Sequence, residues 1–480
     1  MIMDTKPYID SKHNEPLTII IFGATGDLAK KKLIPSLFDL YLKKMLPETF
    51  RIVGFSRKDI PHKEYREFAL NVLEKKENDE LKNKFVECIF YTKGDISDLE
   101  TYKDLASYLK EVDEELKTCS NKLFYLAVPP TLYETSFKFL SESGMATPCI
   151  NTDEDKNHWT RVLVEKPFGS DQETAKKLDM LLGKLFLEDQ IFRIDHYLAK
   201  EAVQNLISFR FANSFFEPLW NKEHVERVDI MLYESNDVSE RGAFYDSIGA
   251  LRDVGQNHIL QMLALIAMED PGELSAKKIR EARYNVLKNT KSFSTNREES
   301  FIRGQYSDYK KGNGIAPDSE TETYFKIKMI VDTERFSGVP FYLESGKGFK
   351  ESKTEIVVTF KESKSCMCPP DHHHSHKNKL IFRIQPDEKI TLCFFAKKPG
   401  FKYDLEEKDF TFSYNGDEVL PDAYERVLYD AICGDQTLFT STDEIQEQWN
   451  IISPIRKAFE EIPLMEYKHG ISPEKLTDNL

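Results

Sequence analysis

Leu17-Thr-Ile-Ile-Ile-Phe-Gly23-Ala-Thr-Gly26-Asp-Leu-Ala29 is the stretch whose reading decides the first half of the fold. A short β-branched run stops at a glycine. Asp27 then opens a segment with Leu28, Leu33, Leu37, Phe38 and Tyr41 at helical spacing. Strand, glycine turn and helix in that order form a relative of the dinucleotide fingerprint. The first glycine lets the chain turn sharply, the second lets the backbone approach a pyrophosphate, and Ala29 is small enough for close helix–sheet packing. A helix N-terminus supplies free N–H groups and a positive dipole end for phosphates. Gly23, Ala24, Thr25, Gly26, Asp27 and Leu28 are therefore the expected contacts; a strand–turn–helix without a ligand is the alternative.

Working outward, Phe50–Phe55, Cys88–Tyr91, Lys122–Ala127 and Arg161–Glu165 read as further strands separated by helical stretches. That alternation predicts βαβ units and a parallel sheet. The second strand runs into Ser56-Arg57-Lys58. A base rather than an acid at this place suits a 2′-phosphate, so Arg57 favours NADP over NAD. After about Lys200 the texture changes. Val228, Ile230 and Leu232 alternate with polar neighbours, as do Phe325, Ile327, Met329 and Val331; Thr354–Phe360, Leu380–Ile384 and Ile390–Phe395 are further strand candidates. Alternation without intervening helices predicts an antiparallel sheet with one covered face. The expected fold class is α/β followed by α+β. Residues 1–198 form a Rossmann-like dinucleotide-binding domain. Residues 199–480 form a domain with a large, mostly antiparallel sheet covered by helices such as Leu251–Met268 and Tyr424–Cys433.

Composition narrows the function classes. The 480 residues are 40% hydrophobic and 31% charged, with a formal net charge of −15. An acidic chain repels nucleic acid and anionic lipid, so neither is an expected partner, and an anionic substrate needs a local basic pocket. No apolar run approaches the ~20 residues of a membrane helix. Met1–Pro16 is polar and mixed in charge, unlike an export or transit signal. Seven scattered cysteines read as free thiols in a reducing compartment, and the cytoplasm is the expected location. Thr147–Asn157 and Lys361–Asn378 read as loops. The second holds Cys366-Met-Cys368 and His372-His-His-Ser-His376, residue types that suit zinc. Its polar connector setting favours a loop, and no metal site is expected.

Two segments carry residues for sugar chemistry. Oxidising a sugar hydroxyl requires a base for its proton, an acceptor for its hydride and cations to hold a phosphorylated substrate. In Ile194-Asp-His-Tyr-Leu-Ala-Lys-Glu201, His196 and Lys200 are four apart, a spacing that can share a helix face and clamp a phosphate. In Gly249-Ala-Leu-Arg-Asp-Val-Gly-Gln-Asn-His258, His258 falls on an apolar helical face with Leu251, Val254 and Met262. By spacing alone, such a residue is more often a core histidine than a catalytic one.

From Ile20 to about Pro463 the chain resembles glucose-6-phosphate dehydrogenase. The resemblance rests on Gly23-Ala-Thr-Gly-Asp-Leu-Ala-Lys-Lys-Lys32, Glu165-Lys-Pro-Phe-Gly169, Arg193-Ile-Asp-His-Tyr-Leu198, Arg210-Phe-Ala-Asn213 with Trp220-Asn221, Arg252-Asp-Val-Gly-Gln-Asn-His258, Val339-Pro-Phe341 with Ser345-Gly-Lys347, and Asp422-Ala-Tyr-Glu-Arg426. It implies oxidation of D-glucose 6-phosphate to 6-phospho-D-glucono-1,5-lactone with NADP, the first oxidative step of the pentose phosphate pathway. By the same resemblance, His258 is the general base and Asp195 the carboxylate that orients it. Lys166 contacts substrate and cofactor, with Pro167 in a cis-capable turn. His196, Tyr197 and Lys200 hold the phosphate, and Glu234, Asp253 and Lys347 bind the sugar. A homodimer or homotetramer through the large sheet is also implied. Ala199 departs from the usual family glycine, a change that strains the backbone only at positive φ. The competing readings are a sugar or inositol oxidoreductase acting on an unphosphorylated substrate, and a non-catalytic NADPH-binding regulator.

Overall fold

Leu17–Phe22 is buried along its whole length, because strands lie on both sides of it and helices follow each crossover. It pairs in parallel with Phe50–Ser56 on one side and Asn121–Leu126 on the other. In the computed structural model the described residues are 15–148, 158–238, 241–293, 300–362, 376–413 and 420–477. Residues 366–375 of the Cys/His run, and the greater part of the 147–157 loop, lie outside them.

The chain divides into two units. The first comprises Met1–Ala199 with Pro421–Thr442, and the second Lys200–Leu420 with Asp443–Leu480. The first unit holds a seven-stranded sheet. Its order is Phe439–Thr440, Ile191–Ile194, Thr160–Val164, Asn121–Leu126, Leu17–Phe22, Phe50–Ser56 and Ile89–Lys93. Only the short Phe439–Thr440 strand runs antiparallel to its neighbour. The expected Rossmann-like sheet is present.

The segment 421–442 returns to this unit from far along the chain. Its helix, Ala423–Cys433, starts with a capping box from Asp422. Lys32 lies 3.0 Å from Asp422, Lys43 pairs with Glu425, and the Arg161 guanidinium donates to the carbonyls of Ala431 at 2.8 Å and Ile432 at 2.7 Å. The sequence reading had this helix covering the second sheet. An amphipathic pattern shows that one face is buried, but its partners here lie about 270 to 390 residues upstream.

The second unit holds a ten-stranded sheet. Its main path runs Leu405–Ser413, Lys389–Lys397, Lys379–Gln385, Lys353–Phe360, Val225–Tyr233, Pro340–Gly346, Tyr324–Val331, Phe301–Tyr306 and Leu464–Tyr467, with Thr290–Ser292 beside Tyr324–Val331. Pro340–Gly346 runs parallel to Val225–Tyr233, and Leu464–Tyr467 parallel to Phe301–Tyr306; the other pairs are antiparallel. Val228, Ile230, Leu232, Phe325, Ile327, Met329 and Val331 are buried, as their alternation predicts. The helical stretch 251–267 lies on this face: a Cβ added at Gly255 would come within 3.0 Å of the Phe325 ring.

Cys119 is disulfide-bonded, so the expectation of seven free thiols fails there; Cys88, Cys393 and Cys433 are in no disulfide. Spacing along a chain carries no distance information about distant cysteines. Among the described residues no helix is long and apolar enough to cross a membrane.

One buried ion pair ties the second unit together. Arg283 Nε donates to Glu444 at 2.8 Å and Nη2 at 3.2 Å, and both side chains are fully buried. Removing one charge leaves the other uncompensated in a low dielectric. Glu444→Gln is expected to lower the stability of this unit by about 3–5 kcal/mol, measured as a lower urea midpoint at unchanged slope.

Candidate active site

Three site segments of the first unit follow the C-terminal ends of parallel strands, the edge where open α/β sheets bind ligands. Gly23 ends the first strand, Lys166 follows the fifth and Asp195 follows the sixth. Gly23 has φ +78°, and a Cβ there would lie 2.3 Å from the Ala127 carbonyl oxygen, so only glycine fits the turn. The Gly23 N–H donates to Phe55 O at 2.9 Å and Gly26 N–H to Gly23 O at 2.9 Å. The helix opens at Asp27, and Ala29–Leu33 winds as a π-turn before Ile34–Leu42. Ala29 is fully buried, as its packing role requires. Thr25 Oγ1 lies 3.2 Å from Ser56 Oγ, and Arg57 is exposed just beyond the second strand.

Lys166 precedes a cis peptide bond to Pro167. The residue before it carries a role that sequence reasoning missed. Glu165 accepts from the Tyr125 hydroxyl at 2.5 Å and from the Tyr424 hydroxyl, and its backbone carbonyl accepts from the Tyr133 hydroxyl at 2.9 Å. Burial raises the Glu165 carboxyl above the ordinary glutamate range, and the Tyr125 and Tyr424 hydroxyls offset part of that rise. Three tyrosines therefore fix the backbone that presents Lys166. The Tyr424 ring also stacks on His196, with centroids 6.2 Å apart at 17°, and lies 5.6 Å from the Lys32 ammonium. The only hint in the sequence was the position of Glu165 beside Lys166 and of Tyr424 inside Asp422–Arg426.

Asp195, His196, Tyr197 and Ala199 lie on a tight turn. The Asp195 carboxylate accepts the Tyr197 N–H at 3.0 Å, and the Asp195 carbonyl accepts the Leu198 N–H at 3.0 Å. Lys200 is the N-cap of Glu201–Ala212. His196 and Lys200 therefore do not share a helix face; the aspartate side chain competes for backbone N–H groups and holds a turn where helical spacing was expected. Ala199 is buried and is not among the residues with positive φ, so its methyl group brings no backbone strain.

The second unit brings Glu234, Asp253 and Lys347 together. Lys347 Nζ pairs with Glu234, lies 3.1 Å from Asp253 and sits 5.5 Å from the Tyr245 ring centroid. Burial alone would push the Lys347 ammonium down; Asp253 and Glu234 outweigh it and hold it above the ordinary lysine value. The backbone around it is equally constrained. The Tyr467 hydroxyl donates to Lys347 O at 2.7 Å, Lys347 N–H to Thr323 O at 2.9 Å and Glu234 N–H to Gly346 O at 2.9 Å. Asp253 and His258 share the π-helix Leu251–Ile259, whose first N–H is accepted by the Glu322 carboxylate at 3.0 Å. Burial raises the Glu322 carboxyl. His258 is buried, as its apolar helical face predicted, and its backbone N–H donates to Asn257 Oδ1 at 2.6 Å.

Two family models cover the chain between them. A family model described as "Glucose-6-phosphate dehydrogenase, NAD binding domain" matches residues 20–205, and "Glucose-6-phosphate dehydrogenase, C-terminal domain" matches residues 207–480. Glucose-6-phosphate 1-dehydrogenase of Borreliella burgdorferi is 38% identical over 475 residues, which is 96% of each chain. Its counterpart in Chlamydia muridarum is 37% identical over 479 residues, 93% of this chain and 91% of that one. A solved structure of glucose-6-phosphate dehydrogenase in complex with its substrate glucose-6-phosphate aligns with a TM-score of 0.88 at 34% identity, covering 97% of both chains. The glycine turn, the Glu165–Lys166 segment and the Glu234–Asp253–Lys347 cluster thus sit in a chain that belongs to the glucose-6-phosphate dehydrogenase family.

Proposed function

We propose that this chain oxidises the C1 hydroxyl of D-glucose 6-phosphate, giving 6-phospho-D-glucono-1,5-lactone with NADP as hydride acceptor. The observation that carries the reading is the reach of the similarity: 38% identity over 475 residues runs through the nucleotide-binding and the sugar-binding halves alike.

The first unit fits a dinucleotide. The turn from Gly23 to Gly26 brings a side-chain-poor backbone to a helix start, and Arg57 stands exposed near Thr25 and Ser56 for a 2′-phosphate. When bound, NADP supplies the hydride acceptor at nicotinamide C4. The protein's own residues do the rest. His258 takes the proton of the C1 hydroxyl as the C1 hydrogen leaves as hydride, and C1 becomes the lactone carbonyl. Asp195 orients the imidazole and stabilises its charged form. Lys166, held by the tyrosine-bound Glu165, contacts sugar and cofactor. His196, Tyr197 and Lys200 bind the phosphate dianion. Glu234 and Asp253 accept sugar hydroxyls, and Lys347, paired with both, holds the two carboxylates in place.

A homodimer or homotetramer belongs to the same reading. Its support is the exposed edge strand Leu405–Ser413, which leaves Phe410 and Phe412 largely in solvent. A cytoplasmic location is also proposed, because a charged sugar phosphate and NADP do not cross membranes unaided.

Absorbance at the reduced-nicotinamide band should rise with glucose 6-phosphate and NADP and stay flat with free glucose. Turnover of free glucose at a comparable rate would overturn the assignment in favour of an unphosphorylated substrate. His258→Asn is expected to lower kcat by a factor of about 10²–10⁴ with little change in KM; full activity in that variant would remove His258 as the base. Light scattering after size exclusion should give two or four times the 55.8 kDa chain mass.

A further inference from the structure

A line of hydroxyl groups surrounds the backbone of Arg57. Ser56 Oγ lies 3.2 Å from Thr25 Oγ1, in the glycine turn, and 2.9 Å from the Tyr91 hydroxyl. The Tyr91 oxygen lies 3.0 Å from Ser56 O and 2.5 Å from Lys58 O, the carbonyls of the residues before and after Arg57. A phenol has one proton, so it donates to one of these at a time, and the shorter contact is to Lys58. One arrangement then uses every proton once: Thr25 donates to Ser56, Ser56 to Tyr91 and Tyr91 to the Lys58 carbonyl. Tyr91 is itself anchored. It sits on Ile89–Lys93 opposite Gly54, its N–H donates to His62 Nδ1 at 2.9 Å, and its ring packs 4.9 Å from Tyr65.

We propose that Tyr91 is a positioning residue for Arg57, and that through the Thr25–Ser56–Tyr91 line it sets the preference for a 2′-phosphorylated dinucleotide over an unphosphorylated one. The inference rests on the NADP reading above. Its physical basis is that Arg57 is exposed, so the point from which its side chain starts, the Cα–Cβ bond, is set by the backbone that carries it. Tying Ser56 through its side chain and Lys58 through its carbonyl to one hydroxyl restricts the backbone between them. The line also couples this strand end to the turn expected at the phosphates, so the 2′-phosphate and pyrophosphate contacts keep one spacing. Tyr65 provides a built-in contrast: its hydroxyl donates to Ala24 O at 3.1 Å, in the part of the turn that serves both cofactors equally.

The test compares kcat/KM for NADP and for NAD, at saturating glucose 6-phosphate, in the parent, Tyr91→Phe, Ser56→Ala and Tyr65→Phe proteins. The ratio for each protein comes from one preparation, so any partly unfolded fraction cancels. Tyr91→Phe should lower the NADP/NAD ratio by about threefold to tenfold, the effect of one neutral hydrogen bond. Ser56→Ala should move it in the same direction. Tyr65→Phe should lower both constants together and leave the ratio in place. Kd values for NADPH and NADH from nicotinamide fluorescence give the same comparison without turnover. A parent with no preference for NADP overturns the cofactor reading and this inference with it. A parent that prefers NADP, with unchanged ratios in both Tyr91→Phe and Ser56→Ala, overturns the inference alone, as does an equal drop in Tyr65→Phe.

Discussion

The contact between Gly23 and the Ala127 carbonyl is the constraint on which the nucleotide end of the molecule depends. The first strand can turn into its helix at that point only because no Cβ occupies the space filled by the neighbouring strand's backbone. That turn places the helix start at Asp27, brings Thr25 to Ser56 and lets Ala29 bury against the sheet. The Lys166 and Asp195 segments leave the same sheet at the same edge. A parallel sheet puts its strand ends together, so residues more than a hundred apart in sequence share one rim.

A second theme is the use of half-buried and buried carboxylates as structural anchors. Glu165 is held by Tyr125 and Tyr424 and presents Lys166. Glu322 accepts the first N–H of the helix that carries Asp253 and His258. Glu444 neutralises Arg283 in the core of the second unit. Each group is costly to bury alone and becomes tolerable only with its partners in place. Such anchors give directional contacts where an apolar residue would give only volume, which suits segments whose side chains must point at a ligand. The Glu234–Asp253–Lys347 cluster extends the idea: one ammonium is shared between two carboxylates.

Local pattern made much of this legible. The glycine turn, the parallel strands and the alternation of Val228, Ile230 and Leu232 follow from steric limits and periodicity that act over a few residues, so they survive without knowledge of the fold. The helical reading of His196 and Lys200 failed for an equally local reason: the Asp195 side chain captures the Tyr197 N–H, and the chain turns instead. Cys119 and the 421–442 segment failed for a different one, because neither a disulfide nor a helix face announces its partner along the chain.

By itself the sequence determined the two sheet types, the order of their strands along the chain, the dinucleotide turn and, through its many family motifs, the chemistry to expect. Only the tertiary structure decided which groups support that chemistry. Tyr424 reaches Glu165 across some 260 residues, Tyr467 reaches Lys347 across 120, and Tyr91 reaches the backbone around Arg57 from the neighbouring strand. The reason is physical. Covalent neighbours and periodicity fix local conformation, whereas a hydrogen bond between distant residues exists only once the packing of both has been settled.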